Sequence, residues 1–402
     1  MERTANTPAP PTLAGIFLAF LKLGLTSFGG PIAHVGYMRE AFVTRRKWLD
    51  DAQFAQLLAL SQFLPGPASS QLGFAIGLTR GGGWGALAAF VAFTLPSVLL
   101  MFAFVALMPL LDPALAAALV HGLKLVAVAV VAHGLIGMAR QLTPDLPRVL
   151  IALAAAALLM TTGNPWMQLL AIAAGAVLGP IACRRVEVPA TRGLSLNFSK
   201  RSALLFFGLF AVGLLFALLL KSSGTATLGG LAAAFYRAGA LVFGGGHVVL
   251  PLLQNATVAP GWLSQETFLA GYGAAQAMTG PMFSMAAFLG AEIDTGTSPF
   301  LSGFVALLAI FLPGALLLLA ALPVWSRLSH HPGAVRAVAG INAAVVGILA
   351  AAFINPVCTQ GLQSWVDIVI AGIAILLLVR FRVPALWIVF GCVAAAMLVA
   401  FV

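Results

Sequence analysis

The stretch FLKLGLTSFGG, residues 20–30, returns as FYRAGALVFGG, residues 235–245. Phe20 aligns with Phe235, Lys22 with Arg237, Gly24 with Gly239 and Phe28 with Phe243. The match continues outward. Trp48 and Leu49 pair with Trp262 and Leu263, QFLPGP (62–67) with QAMTGP (276–281), and Leu95 and Pro96 with Leu312 and Pro313. The offset stays between 214 and 217 residues throughout. Chance likeness among apolar helices reproduces Leu and Ala. It does not hold Gly, Pro, Gln, Trp and a cation in register. The chain therefore reads as two homologous halves.

Composition fixes the medium in which the halves fold. Of 402 residues, 61% are hydrophobic and 8% are charged, against about 25% charged in a soluble domain. A water-soluble enzyme, a nucleic-acid binder and a disordered scaffold are excluded, and a polytopic membrane protein remains. A spanning helix takes about 20 apolar residues. Apolar stretches lie at 12–30, 52–79, 85–111, 115–139, 148–163, 165–182, 202–220, 229–246, 266–291, 300–324, 334–355, 364–379 and 384–402. The expected fold is all-α, with about 13 hydrophobic segments. Residues 1–183 form the first repeat and 229–402 the second; 184–228 hold a basic linker and one extra helix. An odd helix after an even half inverts the second half, the plan of many secondary transporters. The N-terminus lacks the basic region of a signal peptide, so the first apolar segment is expected to be retained.

The 21 Lys and Arg against 11 Asp and Glu give a net charge of +10. Cytoplasmic loops of membrane proteins collect such cations. With the 184–201 linker inside, Arg140, Arg148, Arg327, Arg336, Arg380 and Arg382 fall inside, and Asp112, Glu292, Asp294 and Asp367 outside. One loop decides between two arrangements. If segments 12–30 and 52–79 each cross once, Arg39, Arg45, Arg46 and Lys47 lie outside, against the rule. If both are re-entrant hairpins, the loop returns inside. Pro65, Gly66 and Pro67 cut the second segment into pieces of about 12 residues, each rising about 18 Å. That reaches mid-membrane without crossing, and hairpins are the preferred arrangement. Kinked continuous spans are the alternative.

Broken helices also suggest chemistry. The second half of such a helix begins with unpaired backbone N–H groups, which with the helix dipole attract anions. Four starts of this kind follow Ser27, Gly29 and Gly30; Gly66; Gly244 and Gly245; and Gly280. Ser69, Ser70 and Ser284 stand just beyond and add hydroxyl donors. Lys22 and Arg237, deep in apolar sequence at equivalent positions, are candidates to balance a dianion or to snorkel to an interface. Gln62 and Gln276 either cap free carbonyls or touch substrate. Lys124 reads as a snorkelling residue with substrate contact as the alternative, and Trp48 and Trp262 as interface anchors. Proton coupling would need a titrating group; His34, His133 and His247 are the candidates. Cys183, Cys358 and Cys392 are far apart and form no metal motif, and no catalytic constellation is legible. No cofactor and no metal are expected.

At this level of detail the sequence resembles the chromate ion transporter family in its long two-domain form. The duplicated Phe-Gly-Gly element, the following Trp-Leu, and LPGP (64–67) continued by ASSQL (68–72) carry the resemblance. It covers nearly the whole chain. It implies chromate efflux and chromate resistance in a bacterial inner membrane. Sulfate or another oxyanion is the competing substrate, and an oxyanion channel the competing class; nothing speaks for an intramembrane enzyme. The expected partners are the oxyanion and the bilayer, with a homodimer left open and nucleic acid excluded.

Overall fold

A computed structural model describes residues 11–28, 30–162, 166–184, 186, 199–220, 224–243 and 246–401. Gly29, Gly244, Gly245 and most of the 184–201 linker lie outside the described residues. Among the described residues the structure is helical throughout, without strands. The first half contains α1 (Leu13–Thr26), α2 (Gly30–Arg39), α3 (Asp51–Phe63), α4 (Ala68–Leu107), α5 (Pro113–Leu142), α6 (Leu146–Thr162) and α7 (Trp166–Ala182). The extra helix is α8 (Lys200–Leu219). The second half contains α9 (Leu228–Leu241), α10 (Val249–Thr257), α11 (Gln265–Ala277), α12 (Met285–Glu292), α13 (Pro299–Ala321) and α14 (Trp325–His330). It ends with α15 (Pro332–Ala352), the single turn α16 (Thr359–Gly361), α17 (Trp365–Val379) and α18 (Ala385–Phe401).

Among the described residues, five stretches are long and apolar enough to cross a bilayer: Ala68–Leu110, Pro113–Leu142, Arg201–Leu219, Pro299–Val324 and Pro332–Gly361. The chain is a multi-pass membrane protein. Inside α4, Gly81 and Gly82 leave helical geometry, Gly82 at φ 60°. They split it into a short leg and a long one, at the boundary expected between the segments 52–79 and 85–111. The short leg, residues 68–80, belongs with α3, and the long leg crosses alone.

α1 and α3 have 14 and 13 residues, about 20 Å each at the helical rise, against a hydrocarbon core of about 30 Å. Both legs fold back. Leu13 and Ile16, at the start of α1, sit beside Gly81. Phe42 stacks on Trp48 and packs on Phe20, and Arg80 Nη1 donates to the Trp48 carbonyl at 3.2 Å. The starts of α1 and α3 and the bend of α4 thus share one end of the bundle, the near end. The chain runs from that end to the break after Thr26, back through α2, out again through α3 to the break at 64–67, and back to Gly81. These are two re-entrant hairpins, and they bring Arg39, Arg45 and Arg46 to the near end. There Arg45 Nε donates to Glu40 at 2.9 Å, which holds the Glu40 carboxyl below the usual carboxylate range.

The second half repeats the path from the far end. Trp262 Nε1 donates to the Gly224 carbonyl and its ring lies beside Gly230, so Trp262 closes a hairpin as Trp48 does. The small residues show how the legs pack. Lipid supplies no hydrophobic drive between helices, so close backbone approach has to hold them. A Cβ on Gly24 would lie 2.7 Å from the Phe93 carbonyl of α4. Its repeat mate Gly239 presses on the Ile310 carbonyl of α13 in the same way. Each half thus seats its first leg on its own full span.

Candidate functional site

The four breaks meet at the centre of the bundle. Gly66 N donates to the Val242 carbonyl at 2.7 Å, and Gly280 N donates to the Ser27 carbonyl at 3.0 Å. Gly66 and Gly280 are repeat mates, and so are Ser27 and Val242. One bond is therefore the other under the pseudo-two-fold axis that relates the halves. The packing around them is also paired. Gly66 lies against Gly314 of α13 and Gly280 against Ser97 of α4, at the equivalent positions just after Pro313 and Pro96. Both glycines have positive φ, 126° and 83°, a conformation that L side chains rarely adopt. Gln71 locks the first of these tips: its Nε2 donates to the Pro65 carbonyl at 2.9 Å and to the Gly314 carbonyl at 3.0 Å.

Beside this crossing lies a cavity of about 630 Å³. Gln62, Gly66, Ala68 and Ser69 line it from the second hairpin, Ala33 and Val35 from α2, and Gly246 and His247 from the third break. α5 contributes His133, Gly137 and Gln141, α15 contributes Asn342, and Arg382 stands in the loop between α17 and α18. The lining contains no Asp or Glu. Its cation is Arg382, and its donors are the amides, Ser69, the imidazoles and the first N–H groups of α4, which no helical carbonyl can reach. His247 Nδ1 shares a 2.7 Å hydrogen bond with the Tyr272 hydroxyl. Its ring also fills the space beside Gly134, where a Cβ would lie 2.6 Å from it. Gln141 and Arg382 belong to near-end termini, so the cavity extends from the crossing toward that end.

The candidates named from the sequence divide sharply here. Gln62, Gly66, Ser69, His133 and His247 come together on the cavity. Gly30 starts α2 at φ 77° with open space around it. Ser27 and Gly280 act through backbone at the crossing. Ser70 is buried on the opposite face of α4, in an apolar groove against α13. Ser284 turns its hydroxyl back to the Pro281 carbonyl at 2.7 Å. Gln276 is buried, with Nε2 on Met282 Sδ. His34 is 1% exposed and edge-on to Phe93.

The matched cations do not reach the cavity. Lys22 is exposed on the face of α1 that carries Leu18 and Leu25, themselves 62% and 57% exposed. Arg237 is half-buried, and its Nη1 donates to the Ala217 carbonyl at the end of α8. A cation there meets the negative end of a helix. The difference has a plain cause: α8 covers this face in the second half, where Ala233 and Ala240 replace Leu18 and Leu25 and are 2% and 3% exposed. Three lining residues, Gln141, Asn342 and Arg382, do not stand out in the sequence as site residues. His133, Gly137 and Gln141 recur every fourth residue, a stripe along α5 that could have marked the first. Nothing local marks the other two.

The comparisons agree with this architecture. The family model described as chromate transporter matches residues 14–180 and again 229–397, once per half. A probable chromate transport protein of Synechococcus elongatus is 30% identical over 353 residues, 87% of this chain and 84% of that one. A chromate transport protein of Cupriavidus metallidurans is 26% identical, with 94% of each chain covered. An uncharacterised transporter of Methanocaldococcus jannaschii is 27% identical over 88% of this chain and 86% of its own. No solved structure matches. A fold made of two inverted copies of one unit, each copy matched separately by the same model, places this chain in the chromate transporter family.

Proposed function

We propose that the chain carries chromate, or a related tetrahedral oxyanion, out of the cytoplasm as a secondary transporter, and so confers chromate resistance. The carrying observation is the carboxylate-free cavity at the crossing of the breaks, lined by Gln62, Ser69, His133, His247, Asn342 and Arg382. A tetrahedral dianion presents four oxygens and wants donors from several directions. Amides, a hydroxyl and imidazole N–H groups on four different elements supply them, the start of α4 adds free backbone donors, and Arg382 draws the anion to the mouth. The near end gathers the cations Arg39, Arg45, Arg46, Arg80, Arg140, Arg148 and Arg382 beside the acids Glu40, Asp50, Asp51 and Asp145, whereas Asp112, Glu266 and Asp367 belong to the far end. By the positive-inside rule the near end is cytoplasmic, so the cavity faces the cytoplasm of a bacterial inner membrane. Transport then proceeds by alternating access around the crossing, without catalysis and without nucleic acid; the homodimer remains a proposal of the sequence alone.

Two other readings share the site. Sulfate has the same tetrahedral geometry, and a channel would use the same lining. Radiolabelled chromate uptake into everted vesicles, with sulfate as competitor, separates them. Accumulation against a gradient supports a transporter, because a channel cannot produce it. Uptake abolished by equimolar sulfate would shift the substrate to sulfate. Vesicles that accumulate neither anion would end the proposal.

A further inference from the structure

His247 and Tyr272 form a buried pair at the wall of the cavity. His247 lies in the single turn Gly246–Val248, just before α10, and lines the cavity. Its Nδ1 is 2.7 Å from the hydroxyl of Tyr272 on α11. Tyr272 is 0% exposed, and among the described residues His247 is the one hydrogen-bond partner of its hydroxyl. A phenol has one hydrogen to give, and its oxygen also accepts. A neutral imidazole gives at one nitrogen and accepts at the other. Two arrangements therefore fit the contact. If Nδ1 carries the hydrogen, the hydroxyl accepts, and its own hydrogen points into packed core with nothing to receive it. A buried donor left unmet is costly. If the hydroxyl donates to Nδ1, both groups are satisfied, and the ring hydrogen stands on Nε2.

We propose that Tyr272 is a positioning residue for the oxyanion: it fixes the hydrogen of His247 on Nε2, so that the cavity meets a donor and not a lone pair. This inference rests on the transport reading and assigns a donor atom of its site. Nδ1 is taken up by Tyr272, and Nε2 is the nitrogen left to the cavity. The oxygens of a fully ionised tetrahedral dianion accept hydrogen bonds and give none. A bare Nε2 lone pair would repel them, whereas Nε2–H receives them. The hydroxyl also strengthens that donor, because a hydrogen bond given to Nδ1 draws electron density across the ring and polarises the opposite N–H. Gly134 completes the seat. A Cβ there would lie 2.6 Å from His247 Cδ2 and 3.0 Å from its Nε2, so the ring is held between Tyr272 and the bare backbone of α5. The repeat shows that the hairpins do not need this pair. Carried back by 215 and 214 residues, His247 and Tyr272 fall on Ile32 and Leu58. The first half builds its own hairpins with apolar side chains at both places.

The position of the hydrogen can be read without any substrate. The full chain, isotopically labelled at the histidine ring nitrogens, is held in lipid bilayers at slightly alkaline pH for nitrogen NMR. The His247 signals are identified by their loss in His247→Gln. The expected spectrum has the hydrogen on Nε2 and an unprotonated, hydrogen-bonded Nδ1. In Tyr272→Phe the Nδ1 signal should move, because its donor is gone. A wild-type His247 with its hydrogen on Nδ1 would overturn the proposal, and so would a spectrum unchanged in Tyr272→Phe. In everted vesicles, Tyr272→Phe should raise the half-saturating chromate concentration about tenfold and leave the maximal flux within about twofold of wild type, as expected when one oriented donor to a charged ligand is weakened. An unchanged half-saturation would refute the role. A fall in maximal flux alone would make Tyr272 a packing residue and refute it equally. His247→Gln can bring an amide N–H to the place of Nε2, whereas His247→Asn reaches only that of Nδ1. The glutamine variant should therefore lose less flux, and equal loss or the reverse order would contradict the assignment of Nε2. If no oxyanion crosses in wild type, the transport reading fails, and the nitrogen spectrum still decides where the hydrogen stands.

Discussion

Substituting Gly66 by alanine tests the crossing directly, with Gly30→Ala as its control. Both glycines have positive φ, so each alanine carries a backbone penalty of about 1–2 kcal/mol. At Gly30 that is the whole cost, because no atom lies within 4 Å of the new Cβ. At Gly66 the Cβ would meet Gln71 Nε2 at 2.8 Å and Gly314 Cα at 3.1 Å. The Gln71 amide can retreat only by giving up the Pro65 and Gly314 carbonyls, and buried polar groups left unmet cost about 1–3 kcal/mol each. The tip should therefore lose about 3–8 kcal/mol in total, against the smaller sum at Gly30. Since about 1.4 kcal/mol is tenfold in an equilibrium, the intact crossing should become a minor species in Gly66→Ala. The expected result is chromate flux in everted vesicles reduced more than tenfold in Gly66→Ala, and within about threefold of wild type in Gly30→Ala. Gly280→Ala, whose Cβ would sit 3.0 Å from Ser97 Oγ and 3.1 Å from the Phe93 carbonyl, should resemble Gly66→Ala. Equal flux in Gly66→Ala and Gly30→Ala, at equal expression, would refute the view that the paired tips hold the site together.

The clamp itself predicts that Gln71→Leu lowers the thermal midpoint in detergent, by the loss of two hydrogen bonds worth about 1 kcal/mol each plus the unmet carbonyls; an unchanged midpoint would remove Gln71 from the tip. Lys22→Ala should leave flux unchanged, because the side chain faces outward, whereas Arg237→Ala should loosen α8 by about 0.5–1 kcal/mol through loss of the charge at its C-terminal carbonyls; limited proteolysis near residue 220 reads this out. A cysteine at Arg46 should react with a membrane-impermeant maleimide from the same face as one at Arg382, and labelling of the two from opposite faces would contradict the hairpins.

Much of the scaffold was legible because membrane folding writes its constraints locally. A break needs Gly or Pro at a definite position, and a duplicated break must show them twice. The pairs Gly66 and Gly280, Gly24 and Gly239, and Trp48 and Trp262 therefore announced both the repeat and its turning points. The basic loop at 39–47 could be assigned to the near end for a similar reason, since charge position reports topology. The candidate site was legible where it lies on those breaks, and at His133 of α5, which stands out as a titratable side chain in apolar sequence. Gln62 and Ser69 could be named from the sequence; Asn342 and Arg382 could not, because α15 and the α17–α18 loop reach the cavity only through tertiary packing. Lys22 and Arg237 misled for an instructive reason. Repeat-equivalence guarantees the same place in each unit, but α8 gives the two units different neighbours. Equivalent cations thus meet a helix end in one half and the outer surface in the other.

The same reasoning gives meaning to the one site pair that keeps its identity and changes its environment. Gln62 and Gln276 are the same residue at the same repeat position. Gln62 is exposed to the cavity, whereas Gln276 is 8% exposed and bonded to Met282 Sδ. The next positions differ in size: Ala68 and Ser69 line the cavity, while their larger counterparts Met282 and Phe283 are buried. Identical amides do not prefer different burial by themselves, so the difference belongs to their neighbours, Met282 and Phe283 in one half and Ala68 and Ser69 in the other. One half leaves room beside its second hairpin and the other fills it with larger side chains, around a crossing whose two hydrogen bonds are equivalent. An inverted pair with this asymmetry has an obvious partner state of comparable construction, in which the roles of the halves are exchanged. The larger side chains at 282 and 283 set its limit: a cavity opened at the far end would be narrower and more apolar than the one at the near end. Under the proposed export, an anion released there would meet fewer donors than it left, which favours departure over return.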